Sequence, residues 1–193
     1  NVYGRMPGKP GNIQLKIIDV DSFALGGTAI QKQVTILFTS TPSAPSIDLL
    51  IYLPKLAKGP VPFCIGLNFY GNQTIHADRS IPLSTQWTMN DEQKGIINNR
   101  ATESSRGKDA GKWVVEEIIN RGYGLATAYY GDLEPDHPEG WKTGIRTTLK
   151  TELSINENEW GAIGAWAWGL SRIMDYLETD PAADAKKVMI IGH

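Results

Sequence analysis

Val188-Met189-Ile190-Ile191-Gly192-His193 is the stretch that decides how the rest of the chain is read. Three of its four apolar residues are β-branched and a glycine closes the run, which is the signature of a short, buried strand. Glycine at that point permits the close packing of a sharp strand-to-helix turn. In the pattern G-x-S-x-G such a turn exposes a serine nucleophile at the strand end. Gly192 and His193 fill the first two places of this nucleophile elbow, so the expected serine follows directly after His193. His193 is then the variable residue of the motif. It is not the base, because a triad histidine comes much later in this chain order. Nucleophile, acid and base are all expected outside residues 1–193, which read as the N-terminal part of one catalytic domain.

Upstream, Trp160, Ile163, Ala167, Leu170, Met174 and Leu177 recur at spacings of three and four, predicting a helix with those residues on one face. Ser154 with Glu157, or Asn156 with Glu159, supplies a capping box, and Asp180-Pro181 ends the helix. Ser171 sits in Gly169-Leu170-Ser171-Arg172, half of a nucleophile motif. It falls within this helix, where no strand-to-helix turn exists. Residues 124–130 read as a strand, residues 109–120 as a helix carrying Trp113, Val114 and Ile118, with Gly122 as its C-terminal cap. Residues 63–69 form an apolar strand ending in Tyr70-Gly71-Asn72, and residues 73–107 a polar insertion with short turns. Before them, Ile13, Leu15 and Ile17 alternate with polar residues, as do Val34, Ile36 and Phe38. With the apolar run at residues 47–53 they predict half-buried antiparallel strands, Gly26-Gly27 marking a turn and residues 41–45 a loop.

Strands alternating with helices after an antiparallel opening give an α/β fold of the α/β-hydrolase type. That is a three-layer sandwich whose mixed, largely parallel sheet carries helices on both faces, with its first half within this sequence. The nucleophile strand is central in such a sheet and is expected to be buried on both sides. Left as an edge it would be an aggregation template. The remaining C-terminal half of the domain is therefore an expected partner.

Composition narrows the function classes. With 19 basic and 21 acidic residues the net charge is −2, so no nucleic-acid or anionic-membrane partner is indicated. No apolar run approaches the roughly 18 residues of a membrane span. Asn1-Val2-Tyr3 is not a signal peptide. Cys64, the single cysteine, lies in an apolar run and reads as an inert buried thiol. No P-loop, dinucleotide fingerprint or zinc spacing occurs, so neither a cofactor nor a metal is expected.

Loops at the C-terminal ends of parallel strands carry function in such sheets. Tyr70, Gly71 and Asn72 are accordingly candidates for the loop that donates an oxyanion N–H. Asn72-Gln73-Thr74 also spells a glycosylation sequon, which the lip of a pocket disfavours. Asp132, Asp136 and His137, after Tyr129-Tyr130-Gly131, are candidate substrate-loop residues. Trp87 and Trp141 fall in predicted loops. His76 stands alone, without metal-ligand spacing.

Residues 66–72 (GLNFYGN), residues 121–132 (RGYGLATAYYGD) and the Trp-rich helix leading into Val188–His193 together resemble the bacterial branch of the glucuronoyl esterases, carbohydrate esterase family 15. The resemblance runs from about residue 2 to residue 193. It implies that the final strand continues into Gly-x-Ser-Arg-x-Gly-Lys, with the serine as nucleophile and the arginine assisting the oxyanion. The histidine base and its acidic partner would follow later. It also implies a metal-free, exported enzyme, secreted or periplasmic. The implied reaction is serine-type hydrolysis of 4-O-methyl-glucuronoyl esters, and the implied substrates are glucuronoxylan and lignin-carbohydrate esters. Two alternatives stay open: another polysaccharide esterase such as an acetyl xylan esterase, and a non-catalytic carbohydrate-binding pseudo-hydrolase.

Overall fold

The computed structural model describes residues 3–41 and 44–192, so His193 of the expected elbow and Pro42 and Ser43 of the expected loop lie outside the described residues. Among the described residues there are eight strands: β1 (Gln14–Phe23), β2 (Ala29–Leu37), β3 (Ser46–Pro54), β4 (Val61–Asn68), the small hairpin β5 (Ile96–Ile97) and β6 (Arg100–Ala101), β7 (Gly124–Tyr129) and β8 (Ala183–Ile190). Six of them make one sheet in the order β1-β2-β3-β7-β4-β8. The pairings β1–β2, β2–β3 and β3–β7 are antiparallel, whereas β7–β4 and β4–β8 are parallel. The expected mixed sheet is observed, with its parallel part confined to β7, β4 and β8.

Strand patterning explains the two covered faces. Along β3, Ile47, Leu49, Ile51 and Leu53 point to one cluster, and Leu50 and Tyr52 to the other. That is the period of two that a strand imposes. The larger cluster packs under the long helix Ala162–Leu177, where Trp168 is fully buried edge-on to Phe38, ring centres 4.9 Å apart. Val115 and Ile119 cover the smaller cluster on the opposite face. Burying a large apolar side chain contributes roughly 1.5–3 kcal/mol, so these two layers dominate the stability of the sheet. Cys64 is buried in the smaller cluster, and burial pushes its thiol pKa up, as an inert thiol requires.

Three expectations need correction. The helix at residues 109–120 is broken into Ala110–Trp113 and Val115–Asn120, because Val114 adopts φ 37°. Val114 is exposed, and the buried residues are Val115 and Ile119. Gly122 does cap this segment, with φ 82° and its N–H bonded to Ile119 O.

The long helix starts at Ala162, after Trp160, and buries Ala165, Trp168, Ile173, Tyr176 and Leu177; of the predicted stripe Leu177 is buried, Leu170 and Met174 pack partly buried against the core, and Ile163 and Ala167 are exposed. Its sequence is apolar around much of its circumference, so periodicity cannot choose a face. The bulk of Trp168 and Tyr176 chooses it. The Asn156–Glu159 capping box forms, but around the short turn Glu157–Glu159 ahead of the helix.

β1 is exposed on nearly its whole length, Leu15 and Ile17 included, since β2 is its sole partner among the described residues. β8 is the last strand of the sheet among the described residues, with Met189 50% and Ile190 67% exposed, which is the side expected to meet the C-terminal half of the domain. No described helix is long and apolar enough to cross a membrane.

Candidate active site

Because β4, β7 and β8 run parallel, their C-terminal ends open on the same side of the sheet. Asn68 is in register with Tyr129, and the Ile191 N–H continues the ladder by donating to Ile65 O at 2.8 Å. Gly66 is what lets β8 come this close. A Cβ there would stand 2.7 Å from Ile191 O and 3.2 Å from the Trp113 ring. The sequence-predicted loops at residues 70–72 and 130–132 and Gly192 therefore lie at one end of the molecule.

Amide side chains hold the first loop. The buried Asn68 accepts from Gly71 N at 2.9 Å and donates to Asn72 Oδ1 at 2.7 Å and to Thr127 Oγ1 at 3.2 Å. Asn72 passes the chain of bonds on to Asp48 O at 2.7 Å. Gln73 donates to Tyr70 O at 2.7 Å. Gly71 sits at φ 99° and ψ 155°, a conformation that only glycine enters cheaply. These bonds sort the oxyanion candidates: the Gly71 N–H is already used on Asn68, which leaves the amides of Tyr70 and Asn72. The Asn72 side chain, bonded through both its oxygen and its nitrogen, acts as a clamp. Tyr70 turns its hydroxyl to Asp91 Oδ2 at 3.1 Å, and burial together with that carboxylate raises its pKa.

Aromatic packing and buried charge hold the second loop. Tyr130 lies against Phe69, Tyr129 and Trp166, with ring centres 5.3, 4.9 and 4.9 Å away. Burial, with Asp136 nearby, pushes the Tyr130 phenol up to about 12. Tyr129 donates to Trp87 O at 2.9 Å, and the Trp87 ring packs on His137 at 4.6 Å. Glu134, buried behind this loop, takes Arg146 in a two-pronged bond, with Nη2 at 2.6 Å and Nε at 2.8 Å. Arg146 also donates to Glu157 O and Trp160 O, which ties the loop to the start of the long helix. Fixed-fork bonding of this kind is what arginine supplies.

Of the other sequence candidates, Asp132 is 8% exposed and its Oδ2 accepts from Asp48 N at 3.2 Å. Burial first, and the Asp48 carboxylate second, raise its pKa well above the ordinary value. Asp136 is exposed, and His137 is half-buried against Trp87. Trp141 lies apart from this aromatic group, beside Lys142. His76 is structural, with Nε2 3.4 Å from Glu116, and Ser171 bonds back within its helix to Ala167 O. Among the described residues no group of three metal-ligating side chains occurs.

Beside Gly192 a pocket of about 360 Å³ is lined by Phe69, Tyr70, Lys94, Trp113, Val114 and Ile191, among others. Lys94, paired with Asp109 at 2.5 Å, brings a cation to its wall, 6.0 Å from the Tyr70 ring. Such an arrangement can seat an acyl group between a strand-end nucleophile and backbone donors. Sequence reasoning missed Glu134, Arg146, Trp166 and Asp91. They lie far along the chain from the groups they hold, and no local motif marks them.

No family model matches the chain. A carbohydrate esterase, MZ0003, of an unknown prokaryotic organism is 47% identical over the whole chain, which covers 44% of that protein. Among solved structures, a glucuronoyl esterase from Solibacter usitatus superposes on 99% of the chain with TM-score 0.88 and 45% identity. A promiscuous CE15 esterase from the marine bacterial metagenome does so with TM-score 0.82 and 47% identity. The chain covers 48% of each of these two, so it spans about half the length of the relatives it matches.

Proposed function

We propose that this chain, homologous along its whole length to family 15 carbohydrate esterases, is part of a serine-type carboxylic ester hydrolase that cleaves 4-O-methyl-glucuronoyl esters between xylan and lignin. One observation carries the reading: Gly192, entering the elbow, and Tyr70, on the neighbouring strand-end loop, line the same pocket. A serine after His193 would attack the ester carbonyl there, with a histidine from the rest of the protein taking its proton. Charge then develops on the carbonyl oxygen, and the Tyr70 or Asn72 amide is placed to meet it. Loss of one such donor typically costs about 100- to 1000-fold in rate. Phe69 and Trp87 offer flat apolar surface to the sugar or the aromatic alcohol. The exposed edge of β8, with Met189 and Ile190, is covered by the remaining half of the domain. A secreted or periplasmic location matches a polymeric substrate outside the cell.

The test uses the full-length natural protein. A serine-directed fluorophosphonate should label the residue after His193, read by tandem mass spectrometry of the peptide containing Gly192-His193. Benzyl methyl-glucuronate should be hydrolysed at least roughly tenfold faster than acetylated xylan. The reverse preference would make the protein an acetyl xylan esterase. Sugar binding with neither labelling nor turnover would make it a pseudo-hydrolase.

A further inference from the structure

Beside the candidate active site the ladder between β3 and β7 ends on side chains. Pairing of the two strands stops at Leu49, opposite Ala128, and Asp48 is the next residue along β3. The N–H and C=O of one residue in an antiparallel strand point to the same neighbour. At Asp48 they meet no strand, because the chain after Tyr129 turns away through residues 130–132. Backbone groups left over at such a point need other partners. The Asp48 N–H donates to Asp132 Oδ2 at 3.2 Å, and the Asp48 C=O accepts from Asn72 Nδ2 at 2.7 Å. Asp132 from the β7 loop and Asn72 from the β4 loop together stand in for the missing strand.

From Asp48 the bonds run on into the loop whose amides are the oxyanion candidates. Asn72 Oδ1 accepts from Asn68 Nδ2, and Asn68 Oδ1 accepts from Gly71 N. A shift of the Asp48 peptide is therefore passed to the backbone of residues 70–72. Asp132 is the fixed end of this chain. It is 8% exposed, and Gly124 to Gly131, which lead to it, are all buried. Burial first, and the Asp48 carboxylate second, favour its neutral form. A neutral carboxyl can hold one N–H at that depth without a counter-ion.

We propose that Asp132 is a positioning residue of the oxyanion site, acting through the Asp48 main chain and the Asn72 side chain on the amides of Tyr70 and Asn72. The role rests on the esterase reading, which gives those amides their task. It differs from the substrate contact that the sequence suggests for Asp132. A merely structural role would lower stability and leave the turnover of each folded molecule unchanged.

The full-length protein is assayed with benzyl methyl-glucuronate and with 4-nitrophenyl acetate, which calls on the same oxyanion donors and carries no sugar. Asp132→Ala should lower kcat on both esters about tenfold or more, with KM changed less than about threefold, because the lost interaction is made in the transition state. Asp132→Asn keeps the acceptor and should hold kcat within about threefold of the natural protein. Asp48→Ala keeps the main chain and should leave kcat unchanged, whereas a role for the Asp48 carboxylate predicts a loss. Asn72→Ala cuts the chain on the loop's side and should cost as much as Asp132→Ala. The double variant should lose no more than either single one. Asn72→Ala also decides the matter if Asp132→Ala does not fold.

Unchanged kcat in Asp132→Ala or Asn72→Ala, additive losses, or a loss confined to KM overturns the positioning role and leaves the esterase reading intact. Turnover of 4-nitrophenyl acetate alone overturns the glucuronate reading, and the variants still decide the role of Asp132. No turnover of either ester by the natural protein overturns both.

Discussion

The loops after β4 and β7 meet at one end of the sheet, yet they are held by opposite means. The β4 loop is short and neutral. Its shape comes from the amide side chains of Asn68, Asn72 and Gln73, bonded to one another, to the loop's own backbone and on to Thr127 and Asp48, around a glycine at positive φ. The β7 loop is held by a buried ion pair and by rings: Arg146 on buried Glu134, Trp166 Nε1 on Glu134 O at 3.0 Å, and a stack of aromatic side chains. Amide bonding of this kind fits the proposed role of the loop, in which backbone N–H groups must be presented accurately. Anchoring of the second kind suits a loop that carries side chains, because the supporting layer lies out of the substrate's reach.

The largest expected effect strikes the second loop. Glu134→Ala leaves Arg146 without its partner in a largely buried position, and removing one member of such a pair costs about 3–5 kcal/mol. Urea unfolding should show that loss, and a drop below about 1 kcal/mol would mean that ring packing alone anchors the loop.

A smaller effect is expected at the first loop. Gly71→Ala forces alanine to φ 99° and puts its Cβ 2.4 Å from Gln73 Oε1 and 2.9 Å from Ser84 Cβ. The backbone cost alone is about 1–3 kcal/mol. Thermal melting should report it, together with slower turnover of a soluble glucuronate ester. Unchanged turnover would remove this loop from the oxyanion site.

The smallest change links the two loops and needs a pH series. Asp132 binds its proton more tightly in the folded state, through burial first and Asp48 second, so its contribution is complete below the ordinary value of 3.8 and is lost as pH rises above it. Asp132→Asn keeps an acceptor for Asp48 N and cannot ionise. The variant should gain on the natural protein steadily between pH 4 and 7, and parallel melting curves across that window would refute a raised Asp132.

Much of the fold was legible because strands and turns announce themselves locally. The apolar runs of β3, β4 and β7 and the capping glycine at 122 were read correctly, since each meets a need within a few residues. The facing of the long helix was not legible. Ile163 and Trp168 look alike in a pattern of apolar residues, and only the space beneath the sheet distinguishes them. The break at Val114 was missed because a β-branched residue at positive φ contradicts local preference and persists only where surroundings impose it. At the candidate site, Tyr70 to Asn72 could be placed from their position after a strand. That the Gly71 N–H is already bonded could not.

By itself the sequence determined the order of strands and helices, the strand entering Gly192, and the resemblance that comparison bears out at 47% identity. These properties depend on side-chain periodicity and short-range backbone needs, which the chain carries within itself. Only the tertiary structure decided that β8 pairs with β4, which face of the long helix is buried, and how Glu134 finds Arg146. It also decided that Asp132 turns inward to Asp48, 84 residues away in sequence. Those outcomes depend on which surfaces exclude water together, and no local pattern marks partners 12 or 84 residues apart.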